Sequence, residues 1–161
     1  MSETVHATAL VIGTDGVLLR GASGSGKSTL ALDLIARATP THFAALVSDD
    51  RTELAARNGR LIARAPAPIS GLIEIRGIGI AEMPNVLAGC TVSLVVELVG
   101  ADEADRVPEP NAQAVTLRGV TLPRLRLRAH AAPALHHAAI SAALRLKAKG
   151  LDTAAERIAR S

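Results

Sequence analysis

Near the start of the chain, Gly21-Ala22-Ser23-Gly24-Ser25-Gly26-Lys27-Ser28 fits the pattern G-x-x-x-x-G-K-[ST]. These residue types suit the cradling of a phosphate chain. Successive backbone N–H groups in a glycine-rich turn form a concave anion site, and side chains there would hold a phosphate away. Lys27 supplies a positive point charge for β- and γ-phosphates. The Ser28 hydroxyl offers a ligand for Mg²⁺ bridging the same oxygens, and Thr29 completes the run of nucleotide-binding positions. A glycine-serine surface turn could match by chance, but the flanking segments speak against that. Val17-Leu18-Leu19 reads as a buried strand. Residues 28–37 read as a helix whose N-terminus adds partial positive charge beneath the phosphates.

Further residues could act on a phosphate held there. Phe43-Ala44-Ala45-Leu46-Val47 reads as a short strand beside the phosphate-loop strand, ending at Ser48-Asp49-Asp50. Carboxylates in that place serve Mg²⁺ or a reacting hydroxyl. An acidic turn capping a strand would look the same, and position alone leaves both readings open. Over residues 71–80, apolar residues alternate with Glu74 and Arg76, which puts both charges on one face of an extended segment. Taken alone, that pair reads best as a solvent-facing ion pair on a strand. Asp105 and Arg106 fall in a charged, proline-punctuated loop over 102–111, the segment expected to be most mobile. His6 by itself is an incidental residue near the terminus. His136 and His137 diverge on a helix and make a poor metal pair. Cys90, between Ala88-Gly89 and Thr91-Val92, reads as a small buried hydrophobe rather than a catalytic thiol.

The elements that must position these groups follow from pattern. Residues 8–12 and 17–20 form a hairpin in which Asp15-Gly16 is the turn signal. The phosphate-loop helix runs to about Ala38 and stops at Thr39-Pro40-Thr41. Asn58-Gly59 signals a second hairpin over 54–63, and Pro66-Ala67-Pro68 makes an extended connection. Residues 91–99 are the longest strand-like run, with further strands at 115–117 and 120–128. A helix over 131–149 starts near Pro133 and stops at Gly150, and a short terminal helix spans 153–160. The sum is a single α/β domain over residues 1–161: a P-loop nucleotide-binding domain with a mixed β-sheet, hairpins and C-terminal helices.

Composition narrows the function classes. With 48% hydrophobic and 20% charged residues, 161 residues can bury a sizeable core. Phe43 is the only aromatic residue, so base-stacking platforms are nearly excluded, and a net charge of +3 is mild. No nucleic-acid partner is expected. A single cysteine cannot form an internal disulfide. The N-terminus has no signal-peptide pattern, and no run of about 18 apolar residues occurs. The expectation is a cytoplasmic protein with no membrane contact.

This inventory suits phosphoryl transfer, in which a protein positions groups and neutralises charge. A GTPase would carry Asn-Lys-x-Asp, which is absent. The several arginines of residues 118–128 could imitate the lid of a small-molecule kinase, but their alternation reads better as a strand. The sequence resembles the catalytic domain of the bacterial HPr kinase/phosphorylase family, with its HPr kinase/PEP carboxykinase-like fold. That family phosphorylates a serine on a small phosphocarrier protein and reverses the reaction with phosphate. The resemblance lies in His6, residues 21–28, Val47-Ser48-Asp49-Asp50, Ile73-Glu74-Ile75-Arg76-Gly77-Ile78-Gly79-Ile80 and Asp105-Arg106.

The resemblance implies Asp50 as the base that takes the serine proton, with Asp49 supporting metal or base. It implies Ser28 and Glu74 as Mg²⁺ ligands, and Lys27 and Arg106 as stabilisers of the transferring phosphoryl group. His6 would lie near the phosphates and help bind inorganic phosphate, and Arg76 would shape the site. The implied cofactors are ATP and Mg²⁺, the implied substrate an HPr-like phosphocarrier, and the implied assembly a homo-oligomer, a hexamer whose helix over 131–149 reaches a neighbour's partner. Two departures are expected to matter. The chain reads as a short form lacking the family's N-terminal domain, and so its regulation. The family's Pro-Val-Lys-Val-Gly-Arg-like stretch is poorly matched by Arg128-Ala129-His130-Ala131-Ala132-Pro133, which implies weak or lost phosphorolysis. The rival readings are a P-loop kinase of a small molecule and a non-catalytic nucleotide-sensing module.

Overall fold

The computed structural model describes residues 1–104 and 110–148. Its organising strand is β1 (Glu3–Ile12), which pairs along both edges. On one edge lies β2 (Asp15–Gly21), antiparallel. On the other lie β3 (Ala44–Ser48) against the second half of β1 and β4 (Arg51–Arg57) against the first. An irregularity between Ala9 and Leu10 marks where β1 passes from one partner toward the other. β4 continues antiparallel into β5 (Arg60–Arg64), and β5 pairs with the start of β8 (Cys90–Val99). β8 also runs parallel to β2, so the path β2-β1-β4-β5-β8 closes on itself. β10 (Val120–Arg128) extends the sheet parallel to β8, and β9 (Ala114–Leu117) pairs antiparallel with β10. β6 (Leu72–Ile75) and β7 (Gly79–Glu82) form a separate two-stranded hairpin.

Period-two alternation divides the core into two clusters. Ala7, Ala9, Leu18, Leu54, Leu61, Ala63 and Val95 point inside the closed path. Leu10, Val17, Leu19, Leu94 and Val96 point the other way and are covered by α1 (Lys27–Ala36) and α2 (Pro133–Ala148) through Leu30, Leu34, Ile140 and Leu144. With one aromatic residue in the chain, both clusters are packed from aliphatic side chains, as composition requires. No helix among the described residues is long and apolar enough to cross a membrane.

Several sequence expectations need correction. The first hairpin turns at Gly13-Thr14, with Ile12 opposite Asp15, so Asp15-Gly16 opens β2 instead of forming the turn. Packing fixes this choice: a Cβ at Gly16 would lie 2.2 Å from the Thr91 carbonyl oxygen. β3 lies beside β1, not beside the phosphate-loop strand, because β8 occupies the other edge of β2. The proline-rich connection forms one 3-10 turn over Ala67–Ile69, closed by Ile69 N–H to the Pro66 carbonyl at 3.0 Å. Residues 71–80 are not one extended segment; they fold into the β6–β7 hairpin, with Arg76 in the turn. The Asn58-Gly59 turn forms as expected, both residues having positive φ (50° and 73°). Arg106 and Asp105, the Gly150 stop and the terminal helix over 153–160 lie outside the described residues.

Candidate functional site

The loop over residues 21–28 leaves β2 and enters α1. Ser25 N–H donates to the Ala22 carbonyl at 3.0 Å, and the helix opens with Leu30 N–H on the Gly26 carbonyl at 2.9 Å. Among the described residues no side chain caps the α1 N-terminus and no acid occupies its first turn, so its N–H groups face the loop uncompensated. Gly24 and Gly26 take φ of 77° and 98°. A Cβ at Gly24 would approach Arg76 Nη2 at 3.7 Å, and one at Gly26 would approach His130 Nδ1 at 3.9 Å. Both are ordinary contact distances, so the left-handed backbone, rather than crowding, calls for glycine at these positions. The buried Ser25 hydroxyl beside them has no hydrogen-bond partner among the described residues.

Lys27 is buried, and its Nζ donates to the Gly21 carbonyl (3.0 Å) and the Ala22 carbonyl (3.1 Å). The same Nζ is 3.1 Å from His6 Nε2, while His6 Nδ1 is 3.0 Å from Asp50 Oδ1. A lysine ammonium can only donate, so Nε2 accepts and Nδ1–H donates to the carboxylate. The result is a Lys27–His6–Asp50 chain with defined proton positions. Burial pushes the Lys27 ammonium below its ordinary value, and the charges of Asp50 and then Asp49 pull it partly back.

Asp49 and Asp50 face different ways because Asp50 adopts φ of 62° at the end of β3. Asp49 is buried. Its Oδ1 accepts from Ser28 Oγ at 2.7 Å and Thr8 Oγ1 at 2.8 Å, and its Oδ2 accepts from the Glu74 N–H at 3.1 Å. Asp50 remains open, with 59% of its side chain exposed. Thus β1, β3, α1 and β6 are tied together through one carboxylate, and the second carboxylate is left to meet solvent or a partner.

Glu74 and Arg76 line the same cleft of about 300 Å³ as His6, Lys27, Ser28 and Asp50. The expected solvent-facing ion pair does not form: neither side chain has a charged partner among the described residues. Arg76 reaches the cleft from the hairpin turn. Of the sequence-derived site residues, His6, residues 23–29, Asp50 and Glu74 converge on the cleft, Asp49 supports it from behind, and Gly21 and Ala22 hold Lys27. Arg106 lies outside the described residues. Sequence reasoning missed Thr8, weighed His136 only as a poor metal ligand, and named His130 only within the stretch over 128–133. His136 is buried and its Nε2–H donates to the Arg128 carbonyl at 2.8 Å, which fixes the start of α2 over the cleft. A signal for His130 existed: it follows the carboxyl end of a strand parallel to β2, where open α/β sheets place ligands. Cys90 is half-buried, and burial pushes its thiol up to about 11, which fits a packing role.

No group of three or more His, Cys, Asp or Glu among the described residues forms a cage for a metal ion. Ser28 and Asp49, in contact at 2.7 Å, with Glu74 beside them, instead suit an ion that keeps water and phosphate oxygens as most of its ligands. Mg²⁺ is bound in that manner.

The sequence matches the family described as HPr Serine kinase C-terminal domain over residues 1–161. It is 33% identical over 166 residues to the HPr kinase/phosphorylase of Bordetella pertussis, covering 96% of this chain and 52% of that protein. It is 38% identical over 113 residues to the HPr kinase/phosphorylase of Mycoplasma mycoides, covering 63% of this chain and 34% of that protein. The chain therefore spans about half the length, or less, of these curated relatives. The solved structure of the Hpr(Ser) kinase/phosphatase from Coxiella burnetii superposes with a TM-score of 0.77 at 33% identity, covering 91% of this chain and 99% of that one. The mixed-sheet α/β fold is the one that structure displays.

Proposed function

This chain belongs to the HPr serine kinase C-terminal domain family, and on that footing we propose that it is an ATP- and Mg²⁺-dependent protein-serine kinase acting on an HPr-like phosphocarrier. The observation that carries the reading is the Lys27–His6–Asp50 chain, with its open carboxylate set beside the glycine-rich cradle. Residues 21–29 hold the nucleotide phosphates, and Lys27 exchanges the Gly21 and Ala22 carbonyls for phosphate oxygens. Mg²⁺, held by Ser28 and Glu74 with Asp49 behind them, would supply charge neutralisation on those oxygens. Asp50 accepts the proton of the incoming serine hydroxyl, a weak nucleophile until it is deprotonated. His6 Nδ1–H orients that carboxylate and couples it to the phosphate-binding lysine. Arg106 takes the role of a second cation on the transferring group.

The proposal extends to a single catalytic domain in the cytoplasm, assembled as a homo-oligomer such as a hexamer, with α2 near a neighbour's partner. The reverse reaction with phosphate is weak or lost in this reading. Its support is that His130, Ala131 and Pro133 present no arginine or lysine to the cleft, where the family stretch is basic.

A labelled-ATP assay with purified HPr-type carrier tests the assignment. Wild type transfers label, Lys27→Ala and Asp50→Asn do not, and Asp50→Asn keeps its nucleotide affinity. Full transfer by Asp50→Asn overturns the general-base role. Transfer only to small molecules overturns the protein substrate. In the same assay, rapid pyrophosphate release from phosphorylated carrier and inorganic phosphate overturns the loss of phosphorolysis.

A further inference from the structure

The strand that carries His6 continues into a charged sheet face that the phosphate chemistry does not use. Residues directly opposite each other on paired strands share a face. The register sets His6 opposite Arg51, Thr4 opposite Glu53, Glu53 opposite Arg64, and Arg57 opposite Arg60. His6, Arg51, Glu53, Arg64, Arg57 and Arg60 therefore lie on one side of β1, β4 and β5, while Leu54, Leu61 and Ala63 point into the core. All four arginines are exposed, and none has a charged partner among the described residues. Glu53 is the single acid among them. At roughly 3.3 Å per residue the row from Arg51 to Arg57 extends about 20 Å.

Two features separate this face from an ordinary solvated surface. Arg57 and Arg60 sit directly across from each other at the hairpin end, where like charges destabilise the pairing and no counter-charge among the described residues relieves them. The row also begins at the site: Arg51 follows Asp50 in the chain and lies opposite His6. We infer that this face is a docking platform for an acidic surface on the protein that carries the acceptor serine, an inference that rests on the kinase reading above. A serine delivered to Asp50 brings the surrounding surface of its protein over β4 and β5, and carboxylates within about 20 Å of that serine would meet the arginines. A second copy of this chain is a poorer occupant, because a two-fold contact through this face would set arginine against arginine. A nucleic acid is poorer too, since the face offers no aromatic side chain for stacking.

The test is steady-state transfer from ATP to purified HPr-type carrier by wild type, Arg57→Glu/Arg60→Glu and the milder Arg57→Gln/Arg60→Gln. Far-UV circular dichroism and nucleotide affinity serve as controls for folding. The expected result is a KM for carrier raised roughly tenfold by charge reversal and less by neutralisation, with kcat within about twofold and a flattened dependence of KM on salt. A five-residue peptide with the acceptor serine at its centre reaches only about 7 Å to either side, short of Arg57 and Arg60, and should be used equally by all three proteins. Unchanged carrier KM in both variants overturns the inference. So does unchanged KM accompanied by lost binding to duplex DNA or to anionic vesicles, which would give the face another partner. If wild type transfers no phosphate to carrier, the kinase reading falls and the assigned partner falls with it.

Discussion

Two adjacent acids, Asp49 and Asp50, have opposite surroundings, and one backbone torsion separates them. At φ of 62°, Asp50 turns its carboxylate toward His6 and solvent, while Asp49 stays buried against α1. Their types and position at a strand end were legible in the sequence, but the division of labour was not, because a positive φ at a non-glycine residue leaves no pattern mark. Thr8 was hidden for a similar reason: one threonine in an apolar strand looks like a β-former, and only the fold places its hydroxyl 2.8 Å from Asp49 Oδ1. Thr8→Val keeps the shape and removes that donor. The Asp49 carboxylate then keeps only the Ser28 and Glu74 donors, and its rotamer loosens. Stability should fall by about 1–3 kcal/mol. The Mg²⁺ concentration giving half-maximal rate should rise several-fold, roughly what 1 kcal/mol of lost positioning gives, while kcat at saturation changes little. Thr8→Ser should restore both quantities. Mg²⁺ titrations of the three proteins decide it, and an unaltered Mg²⁺ requirement in Thr8→Val would leave Thr8 a purely structural residue.

At the scale of elements, the sequence marked the hairpins, the loop-to-helix junction and the Ala/Leu-rich α2 because each rests on local chemistry. It misplaced the first turn because Asp15-Gly16 and Gly13-Thr14 both carry turn residues, and the choice between them is made by β8, more than 70 residues away in the chain. The same non-local cause hid the strand order, whereas the break of residues 71–80 is local: Ile78 N–H donates to the Ile75 carbonyl at 2.9 Å and Gly77 takes φ of 85°. Two glycine substitutions test the assignment. Gly13→Ala places a Cβ in open space at φ of 63° and should cost about 1–2 kcal/mol, the price of a left-handed alanine. Gly16→Ala places a Cβ 2.2 Å from backbone, so β2 must separate from β8. That should cost at least about 3 kcal/mol, at the upper end of overpacking penalties. Because β2 feeds the glycine-rich loop, nucleotide affinity should fall in Gly16→Ala and hold in Gly13→Ala. Urea unfolding midpoints and nucleotide titrations separate the two, and equal midpoints would contradict the turn at Gly13-Thr14.

For the whole molecule, a closed strand path forms one core, two helices cover the other, and the cleft opens at the carboxyl ends of the parallel strands β2, β8 and β10. Glu97 on β8 binds Arg20 on β2 and Arg124 on β10, at 3.2 Å and 3.5 Å, clamping the three strands that shape that end. Four separate elements meet at the cleft, so a ligand there joins them, and it meets a lysine otherwise buried against two backbone carbonyls. A phosphate offered to Lys27 relieves its desolvation and should stabilise the entire fold. With a non-hydrolysable ATP analogue and Mg²⁺ at about 100 times Kd, linkage gives about 2.7 kcal/mol. For a domain of this size that is a rise in Tm of about 5–10 °C. The sign of the pH dependence follows from Lys27, whose free-state pKa is lowered and whose phosphate-bound form is charged. As pH rises through the lowered value, binding must take up a proton, so affinity and the Tm rise shrink, beginning below the ordinary lysine range. Asp50→Asn removes the larger of the two charges that hold the ammonium up, and should move the decline to lower pH. Scanning calorimetry from neutral to alkaline pH reads these shifts, with Lys27→Ala expected to show little stabilisation at any pH. A Tm rise undiminished at alkaline pH would mean that Lys27 does not carry the phosphate, and that the cradle works through its backbone alone.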